Sequence, residues 1–325
     1  MIATQVTKYD EFLAKVKDHT AACVPKTGDE FDVCFSRALS EDVIKMEDKY
    51  TEVTRYRDSM SSRLRNYTCE DPTMVTSKPI QSLVMNVQNK NYNVDVLFDN
   101  PSAKIWIVHD FISDEECQIL EDHGLPRLTR ATVAGDDGRS IVSENRKAQQ
   151  ASYNMHQTHE HDPLRSLNER VLRITNERTG YKLRAGGQED LTIIQYNKDD
   201  QYTPHCDGSC DGTLHKTGGR VATAVMYCRT ATLGGGTTFS KADIFVKPTN
   251  GMATFFSYKG LDGRMEDGFT EHSGCPVLEG EKWITTQWMR EGVTEADTWV
   301  NFDPSGVRSS EYETDTGAAS EDVSK

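Results

Sequence analysis

The amino-acid sequence predicts a mainly β domain with supporting helices, an α+β arrangement, behind a helical N-terminal region. Two observations carry that expectation. Beyond Leu191, short apolar and β-branched runs are broken by Gly, Asp and Pro turns, the pattern of a sandwich or barrel. Before them come helical periodicities with recognisable start and stop residues. The 325 residues suffice for one large domain or two small ones.

Three zones follow in order. The first spans 1–100. Leu39, Val43, Met46, Tyr50, Val53, Met60, Leu64 and Tyr67 step by fours and threes, with Arg57 where one apolar residue is due. This is a heptad seam on a helix over about 36–67. It suits either a helix laid on the following domain or a coiled coil forming a homodimer through residues 36–67. Residues 70–100 lack helical period and read as loop and short strands. The second zone, 104–292, opens with the strand Ile105-Trp106-Ile107-Val108. Ser113-Asp114-Glu115-Glu116 then caps a helix that reaches His123-Gly124. Pro163 to Thr179 is a second helix, with Leu164, Leu167, Val171 and Ile174 on one face and Gly180 ending it. Strands are expected at Leu191–Tyr196, Val221–Tyr227, Thr237–Phe239, Ile244–Val246, Met252–Phe256 and Trp283–Met289. The third zone, 303–325, is rich in Ser, Asp, Glu, Thr and Gly and reads as a disordered acidic tail.

Composition excludes some classes. With 51 Asp+Glu against 37 Lys+Arg, the net charge is −14, a poor match to nucleic acid. No run approaches the roughly 18–20 apolar residues of a membrane span. Eight Cys stand at 23, 34, 69, 117, 206, 210, 228 and 275 without a CxxC pair, so zinc ribbons and thioredoxin-like motifs are not expected. Cys206 and Cys210 are either a disulfide or small residues at a site mouth. Met1 to Thr20 lacks the apolar core of a signal peptide, so the chain is cytosolic or begins after a removed signal. The sequon Asn66-Tyr67-Thr68 would be used only in the secretory pathway.

The chemistry lies in Tyr202-Thr203-Pro204-His205-Cys206-Asp207. On a strand, His205 and Asp207 point to one face. His272 follows 65 residues after Asp207. Two imidazoles and one carboxylate leave three coordination positions open, the facial set of non-haem Fe(II) oxygenases. Lys282, ten residues after His272, could hold the distal carboxylate of 2-oxoglutarate. Two other metal readings fit less well. The run Asp207 to Gly212 resembles half an EF-hand, but its twelfth position is Gly218 rather than Glu. A zinc site from Cys206, Cys210 and His215 has unusual spacing. His156, His159, His161 and His215 otherwise read as solvated.

From about Ile105 to Arg290 the sequence resembles the prolyl 4-hydroxylase family of 2-oxoglutarate/Fe(II) dioxygenases. The carriers are Gln195-Tyr196, the segment Tyr202 to Asp207, Gly219 to Thr223 with Met226-Tyr227, Gly235-Gly236-Thr237-Thr238-Phe239, Val246-Lys247-Pro248, Gly251 to Phe256, His272 to Trp283, and Gln287-Trp288. The resemblance implies a double-stranded β-helix, or jelly roll. It implies His205, Asp207 and His272 as Fe(II) ligands, and Lys282 on the C5 carboxylate of 2-oxoglutarate. Tyr196 and Thr237 would add hydroxyl hydrogen bonds. Tyr202, Arg220 and Trp288 would contact a proline-containing peptide; a core aromatic or a rim ion pair is the plainer reading of each. The reaction implied is 4-hydroxylation of peptidyl proline with O2, releasing succinate and CO2, with L-ascorbate keeping the iron reduced. Arg290 stands where the family often has His, which bears on substrate. The N-terminal zone does not resemble that of animal collagen hydroxylases, so collagen is not the expected substrate. Family habit favours the endoplasmic reticulum or secretory lumen. Hydroxylation of another side chain or a small molecule, and a non-catalytic peptide-binding jelly roll, are the alternative functions.

Overall fold

Strands that are apolar on both faces need cover on both faces. In the first predicted strand, Ile105 and Ile107 enter one core, while Trp106 and Val108 enter another. The same division separates Phe255 from Phe256, Trp283 from Ile284 and Ile193 from Ile194. Helical residues such as Leu120, Leu167, Val171 and Ile174 complete the first core. Phe239, Ile244 and Val246 of a smaller sheet complete the second.

The structure is a computed structural model. It describes residues 18, 21–23, 34, 35, 37, 38, 69, 74–134, 140–154, 162–294 and 296–310. The chain divides into two units, Met1–Arg65 and Asn66–Lys325. In the first, residues 21–23, 34, 35, 37 and 38 are helical, and Cys23 is bonded to Cys34. Beyond residues 37 and 38, the predicted heptad seam and its homodimer lie outside the described residues. So do His156, His159 and His161, and residues 311–325.

The second unit runs β1 (Gln81–Val87), β2 (Lys90–Asp99), β3 (Lys104–Val108), α1 (Asp114–Gly124), β4 (Thr129–Arg130), β5 (Thr132–Ala134), β6 (Ser140–Val142), β7 (Gln149–Tyr153) and α2 (Arg165–Thr179). It continues β8 (Leu191–Tyr196), β9 (Tyr202–His205), β10 (Arg220–Arg229), β11 (Leu233–Gly234), β12 (Thr237–Phe239), β13 (Ile244–Val246), β14 (Ala253–Ser257), β15 (His272–Gly274), β16 (Val277–Glu279) and β17 (Lys282–Arg290). The main sheet is ordered β1-β2-β3-β14-β10-β17-β8-β7-β4, and a smaller sheet β13-β12-β15-β9. From β8 the chain alternates between them: main, small (β9), main (β10), small (β12, β13), main (β14), small (β15), main (β17). Two antiparallel sheets wound in this way around one core are the double-stranded β-helix.

Local chemistry explains the helices. Ser113 Oγ accepts from the Glu116 backbone N–H at 3.2 Å, and the Ser113 N–H donates to the Glu116 carboxylate at 3.0 Å. Glu116 also pairs with Arg170 of α2 at 2.7 Å, tying the two helices together. The second helix begins at Arg165, two residues later than expected, because Asp162 caps the turn by accepting from the Leu164 N–H at 2.8 Å. Residues 81–99, expected as loop and short strands, form a hairpin that extends the main sheet. Its Gln88-Asn89 turn takes φ 52° and 63°, the left-handed pair that matches strand twist. Residues 303–307, expected in the disordered tail, fold as a turn in which the Asp303 carboxylate accepts from the N–H groups of Ser305 and Val307 at 2.9 and 2.8 Å.

All eight Cys are paired: Cys23–Cys34, Cys69–Cys275, Cys117–Cys228 and Cys206–Cys210. Cys117 of α1 is bonded to Cys228 of β10 across 111 residues of sequence, a long loop to close. In the chain-entropy account such a link stabilises by restricting the unfolded state. Replacing both Cys117 and Cys228 by Ala is expected to lower unfolding free energy by roughly 2–5 kcal/mol, read from a urea titration. An unchanged midpoint would show that the helix is held by packing alone.

Candidate metal centre and substrate cleft

Strand register brings the distant histidines together. His272 of β15 lies directly opposite His205 of β9, and their rings are 4.2 Å apart. The ligating atoms of His205, Asp207 and His272 all lie within 4.8 Å of one another, a group that could hold a metal ion. Each imidazole is held by its far nitrogen. His205 Nδ1 meets the carbonyl of Thr203 at 2.9 Å, and His272 Nδ1 meets that of Thr270 at 2.9 Å. A carbonyl can only accept, so both Nδ1 atoms carry a proton, and a neutral ring then presents its Nε2 lone pair to a metal. Burial first, and then the neighbouring His272, push the His205 imidazole down to about 3, so it is neutral and able to ligate.

Asp207 reaches the group differently from expectation. Strand β9 ends at His205, and Asp207 comes from the turn beyond it. That turn is closed by the Cys206–Cys210 disulfide, so neither sulfur is a thiolate for zinc. Gly208 is required there: a Cβ would sit 2.7 Å from the Tyr258 ring and 2.9 Å from the Arg220 carbonyl. Thr223 Oγ1 donates to Asp207 Oδ2 at 2.8 Å and fixes the carboxylate. Behind His272, the fully buried Glu266 accepts from the Thr270 hydroxyl at 3.0 Å, steadying the carbonyl that holds the ring.

Lys282 sits deeper, opposite Tyr196 across the β8–β17 pair. It is 3% exposed, and its Nζ donates to the Gly235 carbonyl at 2.8 Å. No carboxylate pairs with it among the described residues, and burial pulls its pKa down to about 8. An ammonium in this position favours an incoming anion. Its Nζ lies 5.5 Å from the rings of Tyr196 and of Tyr227. Tyr227, which the sequence does not single out as a site residue, meets Thr237 Oγ1 at 3.2 Å. The donor set of two imidazoles and one carboxylate suits Fe(II), and the buried cation suits an anionic group.

A cleft of about 610 Å³ opens over His205 and Asp207. Tyr202 lines it, its ring stacked 3.4 Å from that of His205, with the Arg146 guanidinium 5.0 Å from the Tyr202 ring. Trp288 also lines it, beneath the Arg220 guanidinium at 4.0 Å. Arg220 forms a two-pronged pair with Glu189, at 2.6 and 2.7 Å. Arg290 donates to the same carboxylate at 2.6 Å. Burial pushes the Glu189 carboxyl up, but Arg220 and Arg290 outweigh it and hold it below its ordinary range. Glu189 and Arg146 carry no local sequence signal, since each acts through partners far along the chain. His215 is not solvated: its side chain is 11% exposed, and its Nε2 meets the Gly219 carbonyl at 3.2 Å.

The chain is similar to several known proteins. Residues 191–290 match the 2OG-Fe(II) oxygenase superfamily. Prolyl 4-hydroxylase 1 of Arabidopsis thaliana is 33% identical over 208 residues, covering 59% of this chain and 71% of the plant protein. Prolyl 4-hydroxylase subunit alpha-1 of Caenorhabditis elegans is 30% identical over 229 residues, covering 68% of this chain and 37% of that protein. The human alpha-1 subunit is 29% identical over 199 residues, covering 60% of this chain and 35% of that subunit. The chain thus spans about a third of the length of these animal subunits. A viral collagen prolyl hydroxylase from Paramecium Bursaria Chlorella virus-1, solved as its 2OG complex, aligns with a TM-score of 0.42 at 22% identity over 57% of this chain and 96% of its own. The chain belongs to the prolyl 4-hydroxylase family of 2OG-Fe(II) oxygenases and is a 2-oxoglutarate-dependent dioxygenase.

Proposed function

We propose that the protein hydroxylates proline in peptides, consuming O2 and 2-oxoglutarate and releasing succinate and CO2. The observation that carries this is the convergence of His205, Asp207 and His272 beneath a cleft whose walls include Tyr202 and Trp288. Aromatic walls suit a proline-rich strand, whose extended helix costs little to order. One atom of O2 enters the substrate C–H bond as hydroxyl, and the other ends in succinate.

In this reading His205, Asp207 and His272 hold Fe(II), which with bound 2-oxoglutarate and O2 supplies the oxidising chemistry. The chain's own part is positional. Thr203, Thr270 and Thr223 aim the three ligands. Lys282 neutralises the far carboxylate of 2-oxoglutarate, and Tyr196 and Thr237 offer hydroxyls along the way. Tyr202, Arg220 and Trp288 border the peptide. L-Ascorbate is the accessory reductant that this reading expects. Four disulfides support an oxidising compartment, the secretory lumen rather than the cytosol.

Mass spectrometry of proline-rich peptides incubated with the protein, Fe(II), 2-oxoglutarate and ascorbate is expected to find one added oxygen on a prolyl ring. Oxygen found only on another residue would overturn the choice of proline. His205→Ala and Asp207→Ala are each expected to abolish peptide-dependent succinate formation and to weaken Fe(II) binding in a metal titration. Full turnover by either variant would remove that residue from the ligand set.

Lys282 makes a pH prediction. With its pKa near 8, the free protein keeps the ammonium below that pH and loses it above. A bound dicarboxylate favours the charged form, so affinity for 2-oxoglutarate is expected to be level below about pH 8 and to fall above it. Lys282→Ala is expected to raise the 2-oxoglutarate requirement roughly 10- to 150-fold, equivalent to about 1.5–3 kcal/mol, and to remove the decline. Calorimetric titration across pH reads both effects. An unaltered profile in the variant would exclude Lys282 from the carboxylate subsite.

A further inference from the structure

The superfamily match ends at residue 290, yet the cleft does not. Trp299, Phe302, Pro304 and Ser305 line it together with Trp288 and Arg220. These C-terminal residues reach the cleft through a short 3-10 turn at Trp299–Asn301 and the Asp303-capped turn that follows. Their seat is specific. Gly218 has φ +87°, and a Cβ there would fall 2.5 Å from the Phe302 ring, so the ring lies directly on glycine backbone. Phe302 is 7% exposed. The Arg220 N–H donates to the Pro304 carbonyl at 3.0 Å, which continues the segment alongside β10.

Arg290 joins this segment to the buried ion cluster. Its Nε donates to Glu189 at 2.6 Å, and its Nη1 donates to the carbonyls of Gly218 at 2.8 Å and Asp303 at 2.6 Å. Its guanidinium carbon lies 6.0 Å from the Trp299 ring. Only a guanidinium has enough donors, in a fixed fork, to serve three acceptors at once; an imidazole has at most two. Arg290 borders the cleft but is 3% exposed, and its donors are spent on these bonds.

We propose that residues 299–305 form a second wall of the peptide cleft, with Trp299 selecting the residues beside the target proline and Arg290 latching the wall in place. This rests on the reading of the cleft as a peptide site. Trp288 and Trp299 then border one channel that ends at His205 and Asp207. The ligand class is a proline-rich extended segment, whose rings pack on indole faces.

The test uses the full chain with Fe(II), 2-oxoglutarate and a set of proline-rich peptides that differ only in the residues flanking the target. Trp299→Ala is expected to raise the peptide KM by about tenfold, the loss falling on KM rather than kcat, and to flatten the preference among flanking residues. Trp299→Phe is expected to restore most of both. Arg290→His is expected to reproduce the KM effect and to speed hydrogen exchange of the Ser305 and Val307 amides, because the Asp303 carbonyl loses its donor. Direct peptide titration of the same variants, with 2-oxoglutarate affinity measured alongside, separates the cleft from the metal centre. Wild-type peptide binding that Trp299→Ala leaves unchanged would overturn the wall alone. A wild-type protein that bound no proline-rich peptide would overturn the peptide reading, and the wall with it.

Discussion

Across the β9–β15 pair, His205 faces His272, and the rest of the site is arranged around those two rings. The pairing is backbone hydrogen bonding, so it is indifferent to the chemistry it creates. It sets two imidazoles 4.2 Å apart, and two carbonyls then choose their tautomer by accepting from Nδ1. Asp207 needs no strand of its own. A disulfide-closed turn and the Thr223 hydroxyl bring its carboxylate to within 3.6 Å of His205 and 3.9 Å of His272. A one-residue slip in that register would send His272 to the opposite face and dissolve the group.

The buried cations show how the same cost is met in two ways. Removing a charge from water is expensive unless a partner compensates. Arg220 and Arg290 are compensated inside the protein, because Glu189 accepts from both and stays ionised against its own burial. Among the described residues Lys282 has the Gly235 carbonyl and two tyrosine rings but no carboxylate, and burial lowers its pKa. The Glu189 cluster meets its charge internally, whereas Lys282 is left short of an anion, which is why a carboxylate is proposed for it. The chain's overall charge of −14 is irrelevant to either, since both sit behind low-dielectric walls.

The disulfides divide in the same way between scaffold and site. Cys117–Cys228 joins α1 to β10 and Cys69–Cys275 closes 206 residues of sequence, so both restrain long loops. Cys206–Cys210 closes a separation of four residues and bears on Asp207, its immediate neighbour. Its entropic contribution is the smaller, and its effect is local restraint of the turn that carries Asp207.

Local pattern was enough for much of this molecule. The capping box at Ser113, the stop at Gly180, the strands from Leu191 onward and the HxD spacing depend on neighbours a few residues apart, and such relations are written directly in the chain. Ordered motifs from Tyr196 to Trp288 also made the family legible. Other features were settled only by tertiary contact. Glu189 meets Arg220 across 31 residues and Arg290 across 101, and no periodicity encodes that meeting. Eight Cys allow on the order of a hundred pairings, and only the fold selects one. Residues 303–307 read as tail because they are polar and aperiodic, yet Asp303 accepts from the Ser305 and Val307 N–H groups and Arg290 holds the Asp303 carbonyl. Composition reports how much apolar surface a segment can bury, and it cannot report a distant guanidinium that supplies the missing hydrogen bonds.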